Sequence, residues 1–142
     1  MTEAIPAFGT FLKKGDGATP TENFTTITEC LDLPHPPRGT DEYEATSHDS
    51  TGGAEEVIMG IKRTGELAVP TNYIPGDVTH KALDTEYDNQ TKSNYQMVLP
   101  SGVATLSFAA FVKNIGGAFP VAGKMARTVT LRITGPLTLV VP

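Results

Sequence analysis

The sequence has no tryptophan, a single cysteine (Cys30), three histidines and only 7% aromatic residues among 142. One thiol excludes an internal disulfide framework and most thiolate metal sites. So few rings leave a stacking platform for single-stranded nucleic acid or sugar poorly supplied. His35, His48 and His80 fall into no metal-ligand spacing such as HExxH. No apolar run approaches the roughly 18–20 residues that span a bilayer, so no membrane segment is expected. The opening residues, MTEAIPAFGTFLKKGDG, show no apolar h-region after a basic n-region, and no signal peptide is read there. Acidic residues are missing altogether after Asp88.

What is present is 39% apolar and 19% charged, enough for a hydrophobic core, and the length fits one domain over residues 1–142. The formal charge of −5 disfavours a generic DNA-coating role, because phosphate calls for an excess of cations. The charge is segregated along the chain. Up to Asp88 there are sixteen acids and six bases, a net of −10; beyond it stand only Lys92, Lys113, Lys124, Arg127 and Arg132, a net of +5. An acidic and a basic surface can attract one another between copies. A head-to-tail contact of that kind builds rings or filaments rather than closed two-fold dimers. The alternative is that both signs mix on one folded surface.

Strand signals dominate. Residues 127–134 alternate strictly, with Val129, Leu131 and Ile133 on one face. Residues 104–112 place Leu106, Phe108, Ala110 and Val112 together, with Phe111 opposite. Tyr95–Leu99 and the turn at Pro100–Gly102 make 95–112 a hairpin. Residues 24–33 read as a Thr-rich strand stopped by Pro34, with Cys30 opposite Ile27, Leu31 and Leu33. Residues 67–74 read as a strand whose Pro70 requires an edge or a bulge. Gly116-Gly117 suggests a hairpin connection or a bulge. One helix is expected from an Asp77 N-cap to about Asn89, with Val78, Ala82, Leu83 and Tyr87 on its inner face and His80 in solvent. Between Pro34 and Glu66 lies an unusually long connection with seven acids and three bases, in which short strands are expected near 43–48 and 57–62. A loop this long is usually functional or mobile.

Catalytic patterns are missing. Gly15-Asp-Gly17 and Gly52-Gly53 make neither a P-loop nor a dinucleotide fingerprint, and Ser101 and Ser107 lack the nucleophile elbow. The carboxylates crowded between 41 and 56 read as solvated charge, not as a glycosidase pair. Cys30 reads as a small half-buried side chain. No enzyme activity, metal or cofactor is expected.

The order of segments, however, resembles a known family. Leu31-Asp-Leu-Pro34 precedes the long acidic stretch; then come Asn72-Tyr-Ile-Pro-Gly-Asp77, the helix with His80-Lys-Ala-Leu83, and Tyr95-Gln-Met-Val-Leu-Pro-Ser-Gly102. Phe108-Ala-Ala-Phe-Val112, Phe119-Pro-Val121 and Arg127-Thr-Val-Thr-Leu-Arg-Ile-Thr-Gly135 follow. Together, over roughly Ala7 to Pro136, they resemble the tail tube (major tail) proteins of lambda-like, long-tailed non-contractile phages. The resemblance implies a mainly β fold, a β-sandwich or partial barrel flanked by one α-helix, with a long inter-subunit loop at 34–66. The immunoglobulin-like domain that follows in lambda's protein is not expected after Pro142. It also implies a virion protein made in the host cytoplasm that forms hexameric rings stacked into a hollow tube. Partners would be a tape-measure protein in the lumen, tail-tip and tail-terminator proteins, and double-stranded DNA in transit. The inter-subunit candidates are Phe8 and Phe11 in the N-terminal segment, and Asp41, Glu42, Tyr43, Glu44, Asp49, Glu55 and Glu56 in the loop. Lys124, Arg127 and Arg132 complete the set on the basic side. The apolar tail at 137–142 is either a strand added to a neighbour or the last strand of its own subunit. Other ring-forming virion parts, a tail terminator or a head–tail connector, are the alternative.

Overall fold

The computed structural model of the protein describes residues 2–142. In chain order it contains β1 (Phe11–Gly15), β2 (Phe24–Thr26), β3 (Arg38–Glu44), β4 (Val57–Thr64), β5 (Glu66–Asn72), α1 (Val78–Asn89), β6 (Ser93–Val98), β7 (Thr105–Ala118) and β8 (Ala126–Val140). Six strands form one antiparallel sheet in the order β2-β1-β6-β7-β8-β5, and β3 and β4 form a separate two-stranded ribbon. The alternation read in the sequence sets the core. Leu106, Phe108, Ala110 and Val112 of β7 and Val129, Leu131 and Ile133 of β8 turn to one side, where they meet Leu12, Leu67, Val69, Tyr95, Met97 and helix residue Leu83. Phe111, on the other side, is half-buried.

The sheet does not close into a barrel, but one segment bridges its two outer strands. After pairing with β1, the chain gives the Ile27 N–H to the Leu12 carbonyl at 2.9 Å and then turns. It reaches β5 through a bridge between Cys30 and Thr71, with Asn72 N–H donating to Glu29 and Leu31 N–H to Pro70, both at 2.9 Å. The mainly β architecture with one helix agrees with the β-sandwich or partial barrel that the resemblance implies, but the strand expected over 24–33 stops at Thr26. The turn at Glu29, with φ of 59°, breaks it and reverses its facing. Cys30 therefore packs against the core, burial pushes its thiol up to about 11, and Leu31 is exposed. Pro70 sits where it was expected to, in an outer strand. Its carbonyl faces Leu31, so the missing N–H also points away from β8.

Helix α1 begins as expected at Asp77, whose carboxylate accepts from the Thr79 N–H at 2.8 Å and from the Thr79 hydroxyl. The buried stripe differs from the expected one: it is His80, Leu83 and Glu86, while Val78 and Tyr87 face solvent. Polar anchoring explains the difference. His80 Nδ1 accepts from the Ile74 N–H at 3.2 Å, which leaves Nε2–H to donate to the Thr28 carbonyl at 2.8 Å. Glu86 pairs with Lys14 at 2.8 Å and accepts from the Ser93 hydroxyl.

Two expected outcomes arise from these anchors. The Tyr95 hydroxyl is buried with no partner, and burial followed by the Glu86 charge pushes its ionisation upward. Tyr95→Phe should therefore raise unfolding free energy by about 1 kcal/mol, read by urea denaturation. Asp77 is held down to about 2, first by the Thr79 hydroxyl and then by that of Thr28. Because this lies below the unfolded value, the ionised cap contributes stability that is complete above about pH 4 and is lost as the pH falls toward 2. Asp77→Asn should flatten that part of the acid limb, read as urea midpoints measured across the window.

The connection from 34 to 66 is the largest departure from expectation. It is mostly an ordered hairpin, β3 paired with β4 from Arg38↔Thr64 to Glu44↔Val57, with one irregularity between Thr40 and Glu42. Gly116 and Gly117 lie inside β7, not at its turn; the irregularity there falls between Val112 and Asn114, and the connection to β8 spans 119–125. A Cβ at Gly117 would collide with the backbone of Ala126 and Arg127, so the close approach of β7 and β8 requires glycine. Residues 137–140 continue β8 beside β7 of the same subunit, with Leu106↔Leu139 and Thr105↔Val140 in register.

Candidate assembly surfaces

The ribbon is the most exposed ordered element. A two-stranded hairpin alone is marginally stable in water, yet this one carries Ile58, Met59 and Ile61 at about 60% exposure each, with Tyr43 and Val57 also exposed. Local features stiffen it. The Tyr43 ring lies across Gly60, where any side chain would strike it. Arg63 Nε donates to both Asp41 oxygens, at 3.0 and 2.9 Å, across the strands. The turn is closed by Ala45 N–H to the Glu56 carbonyl at 2.8 Å and by a short 3-10 segment, Thr51–Gly53. Glu42, Glu44, Asp49, Glu55 and Glu56 all stand on the exposed outer part of the ribbon.

Three other exposed apolar regions surround the sheet. Phe8 is 97% exposed, and with Phe11 it flanks a groove that runs to Leu31 and Leu33. At the β7–β8 turn Phe119, Val121 and Met125 are exposed, with Lys124 beside them. Along the last strand Leu139, Val140 and Val141 are exposed. The sheet face opposite the core has a different chemistry. Residues alternating with the buried ones are Lys13 on β1, Asn94 and Gln96 on β6, Ser107, Ala109 and Phe111 on β7, and Thr128, Thr130, Arg132 and Thr134 on β8. Most are hydroxyls, amides and methyls, joined by one ring and the cations Lys13 and Arg132.

The charge split along the chain is partly neutralised within the subunit. Lys113 pairs with Glu66, and Arg127 with Asp84 at 2.8 Å. Arg127 is buried: its guanidinium also donates to the His80 carbonyl at 3.1 Å and lies 4.6 Å from the Tyr73 ring centroid. Arg132 donates to the carbonyls of Thr64, Gly65 and Ile133. The twelve sequence-derived candidates therefore divide by environment. Phe8, Phe11, Tyr43, Lys124 and the acids Glu42, Glu44, Asp49, Glu55 and Glu56 face outward, while Asp41, Arg127 and Arg132 hold their own chain together. The strand expected near 57–62 is present as β4, but its exposed Ile58, Met59 and Ile61 were not among the contact candidates; their signal was an apolar run flanked by charge.

Among the described residues, no helix is long and apolar enough to cross a membrane, and no cluster of His, Cys, Asp and Glu has the makings of a metal site.

The family model of the lambda phage tail tube protein matches residues 13–140. Solved structures of similar fold include the tail of an empty gene transfer agent particle with C6 symmetry, at 16% identity and a TM-score of 0.76, covering 95% of this chain and 98% of that one. The SPP1 tail tube is similar at 14% identity and a TM-score of 0.66, covering 96% of this chain and 80% of that one. The tube-terminating cap of the anti-feeding prophage matches at 14% identity and a TM-score of 0.74, covering 100% and 94%. No curated protein matches by sequence. At these identities the structural likenesses show a shared fold.

Proposed function

Because the chain belongs to the lambda phage tail tube protein family, we propose that it acts as one tail-tube domain polymerising, as stacked hexameric rings, into the hollow tube of a virion tail. The observation that carries this is the family match over nearly the whole chain, joined to a stiff ribbon with apolar residues that its own subunit does not cover. The C6 symmetry of the gene transfer agent tail supports six copies per ring. Edge strands and bare ribbons are aggregation hazards in a monomer and joining surfaces in a polymer. Ring and stacking contacts fall to Phe8, Phe11, Tyr43, Lys124 and the outward acids of the ribbon. We read no catalytic role into the chain.

The uncoreward face of the six-stranded sheet suits the lumen. Double-stranded DNA has to pass without being held, and strong phosphate contacts would oppose ejection. On a face of mainly threonine, serine, asparagine and glutamine, Arg132 is turned onto carbonyls, which leaves Lys13 as the one cation there with neither a carbonyl nor a carboxylate partner among the described residues. A tape-measure protein would occupy the same channel before DNA, and tip and terminator proteins would bound the tube.

Electron microscopy of negatively stained protein over a concentration and salt series, with sedimentation, tests the reading. Hollow tubes of constant diameter with a regular axial repeat are expected. Closed rings at every concentration would instead favour a terminator or connector, a reading that the shared fold of the tube-terminating cap keeps in play.

A further inference from the structure

The end of β8 has an unpaired edge. Its ladder with β5 ends at Glu66↔Arg132, and the Ile133 N–H then donates to the Gly65 carbonyl at 3.1 Å. From Gly65 back along β4 the chain departs into the ribbon; the Thr64 hydroxyl still donates to the Gly135 carbonyl at 3.4 Å, but the backbone ladder of Thr134–Val140 is with β7 alone among the described residues. A slot of about 780 Å³ opens between that edge and the base of the ribbon. Its walls combine apolar Ile61, Pro136 and Leu137 with the cations Arg38 and Lys62. Neighbouring Arg63 and Arg132 are occupied by Asp41 and by backbone carbonyls. Arg38 and Lys62 are exposed and, among the described residues, have no carboxylate partner.

The outer part of the same ribbon has the opposite character. From Glu42 to Glu56 there are five acids and no lysine or arginine. None of the five is in an ion pair among the described residues. Glu42 lies two residues from Thr40, which pairs with Lys62, but Glu44, Asp49, Glu55 and Glu56 lie beyond it toward the turn. The paired arms hold these four away from the root: seven residues of β3 span roughly 23 Å. A stiffened antiparallel ribbon cannot fold this tip back onto its own basic root, so these charges meet it only between copies.

We infer that the acidic tip of the ribbon of one copy seats in the slot at the ribbon root of the next copy, its carboxylates facing Arg38 and Lys62. The apolar residues beside the tip, Val57 and Ile58, would cover Ile61 and Pro136 of the recipient. The contact joins two different patches, so it repeats without closing on itself, as stacking requires. This inference rests on the tube reading and names the surface that carries its axial growth.

The test uses charge reversal in the full chain. The slot variant R38E/K62E has an acidic slot and an acidic tip; the tip variant E44K/E55K/E56K has a basic slot and a tip whose charge changes from −5 to +1. All five positions are exposed, and circular dichroism should show both variants folded. Each alone should raise the critical concentration for tube formation roughly tenfold or more. The 1:1 mixture should recover assembly, because each tip then meets a slot of opposite sign, and the five-fold variant should recover it in a single chain. Where the unaltered protein forms no tubes, its weak self-association in sedimentation at high concentration should be lost in each variant alone and return in the mixture; self-association kept by both variants alone overturns the inference. If both variants polymerise at the critical concentration of the unaltered protein, the slot contact is wrong and the tube reading stands. If the unaltered protein forms only closed rings, the tube reading falls and takes this inference with it.

Discussion

Replacing residues 40–62 with a short Gly-Ser turn should leave a folded subunit that no longer forms tubes. The core cluster runs from Leu12 to Leu137 and takes no residue from the ribbon. The hydrogen bonds joining the ribbon to the sheet lie at Thr64 and Gly65, outside the deleted stretch. The unfolding midpoint should accordingly move little, while pelletable polymer disappears. Deleting only Asp49–Ala54 removes the turn and shortens the reach of the tip, and it should also abolish tube growth. Sedimentation and electron microscopy read the polymer, and circular dichroism melting reads the subunit. An unfolded deletion product would show that the ribbon supports its own subunit; a folded one that still builds tubes would remove the ribbon from assembly.

Leu131→Ala should have the largest effect on the subunit itself. Leu131 is fully buried in the middle of β8, opposite Leu67 on β5 and Val112 on β7. Truncation opens a cavity between three strands whose backbone ladders resist collapse. The expected cost is about 2–5 kcal/mol, a large part of a typical domain stability of roughly 5–15 kcal/mol. The melting temperature of the dispersed subunit should fall by roughly 10 °C or more. Preassembled tubes should hide part of the loss, because polymerisation binds only the native state and shifts unfolding by mass action. Urea midpoints of dispersed and assembled protein, compared for both sequences, check this. A fall of under 1 kcal/mol would mean that the sheet relaxes around the smaller side chain.

The parts of the fold that could be read from residues alone were those whose signal is local and apolar. Strict alternation gave β7 and β8 their facing, Pro100–Gly102 gave the β6–β7 turn, and Asp77 gave the helix start. The failures share a cause, which is burial by polar contact. His80 and Glu86 sit on the inner face of α1 because Thr28, Ile74, Lys14 and Ser93 supply partners from distant segments, and hydropathy does not register such partners. The break after Thr26 depends on a positive φ at Glu29, a residue type with no turn signature. The ribbon stayed hidden because the β3 sequence Arg-Gly-Thr-Asp-Glu-Tyr-Glu is nearly all polar and becomes a strand only when β4 completes its ladder. As for the candidate assembly surfaces, the sequence pointed to a segment most of whose acids the structure leaves exposed. It did not separate Asp41 and Arg127, which serve the subunit, from Glu55, Glu56 and Phe8, which face outward.

The ribbon lends the subunit no core, and that separates two kinds of selection. With the proposed tip-to-root contact, a substitution at either end would be felt by the neighbouring copy and hardly at all by the folding of the chain that carries it. Recognition between copies could then drift quickly while the sheet beneath stays constant. Two related proteins made in the same cell can keep their polymers unmixed by exchanging a few charges at opposite ends of one hairpin.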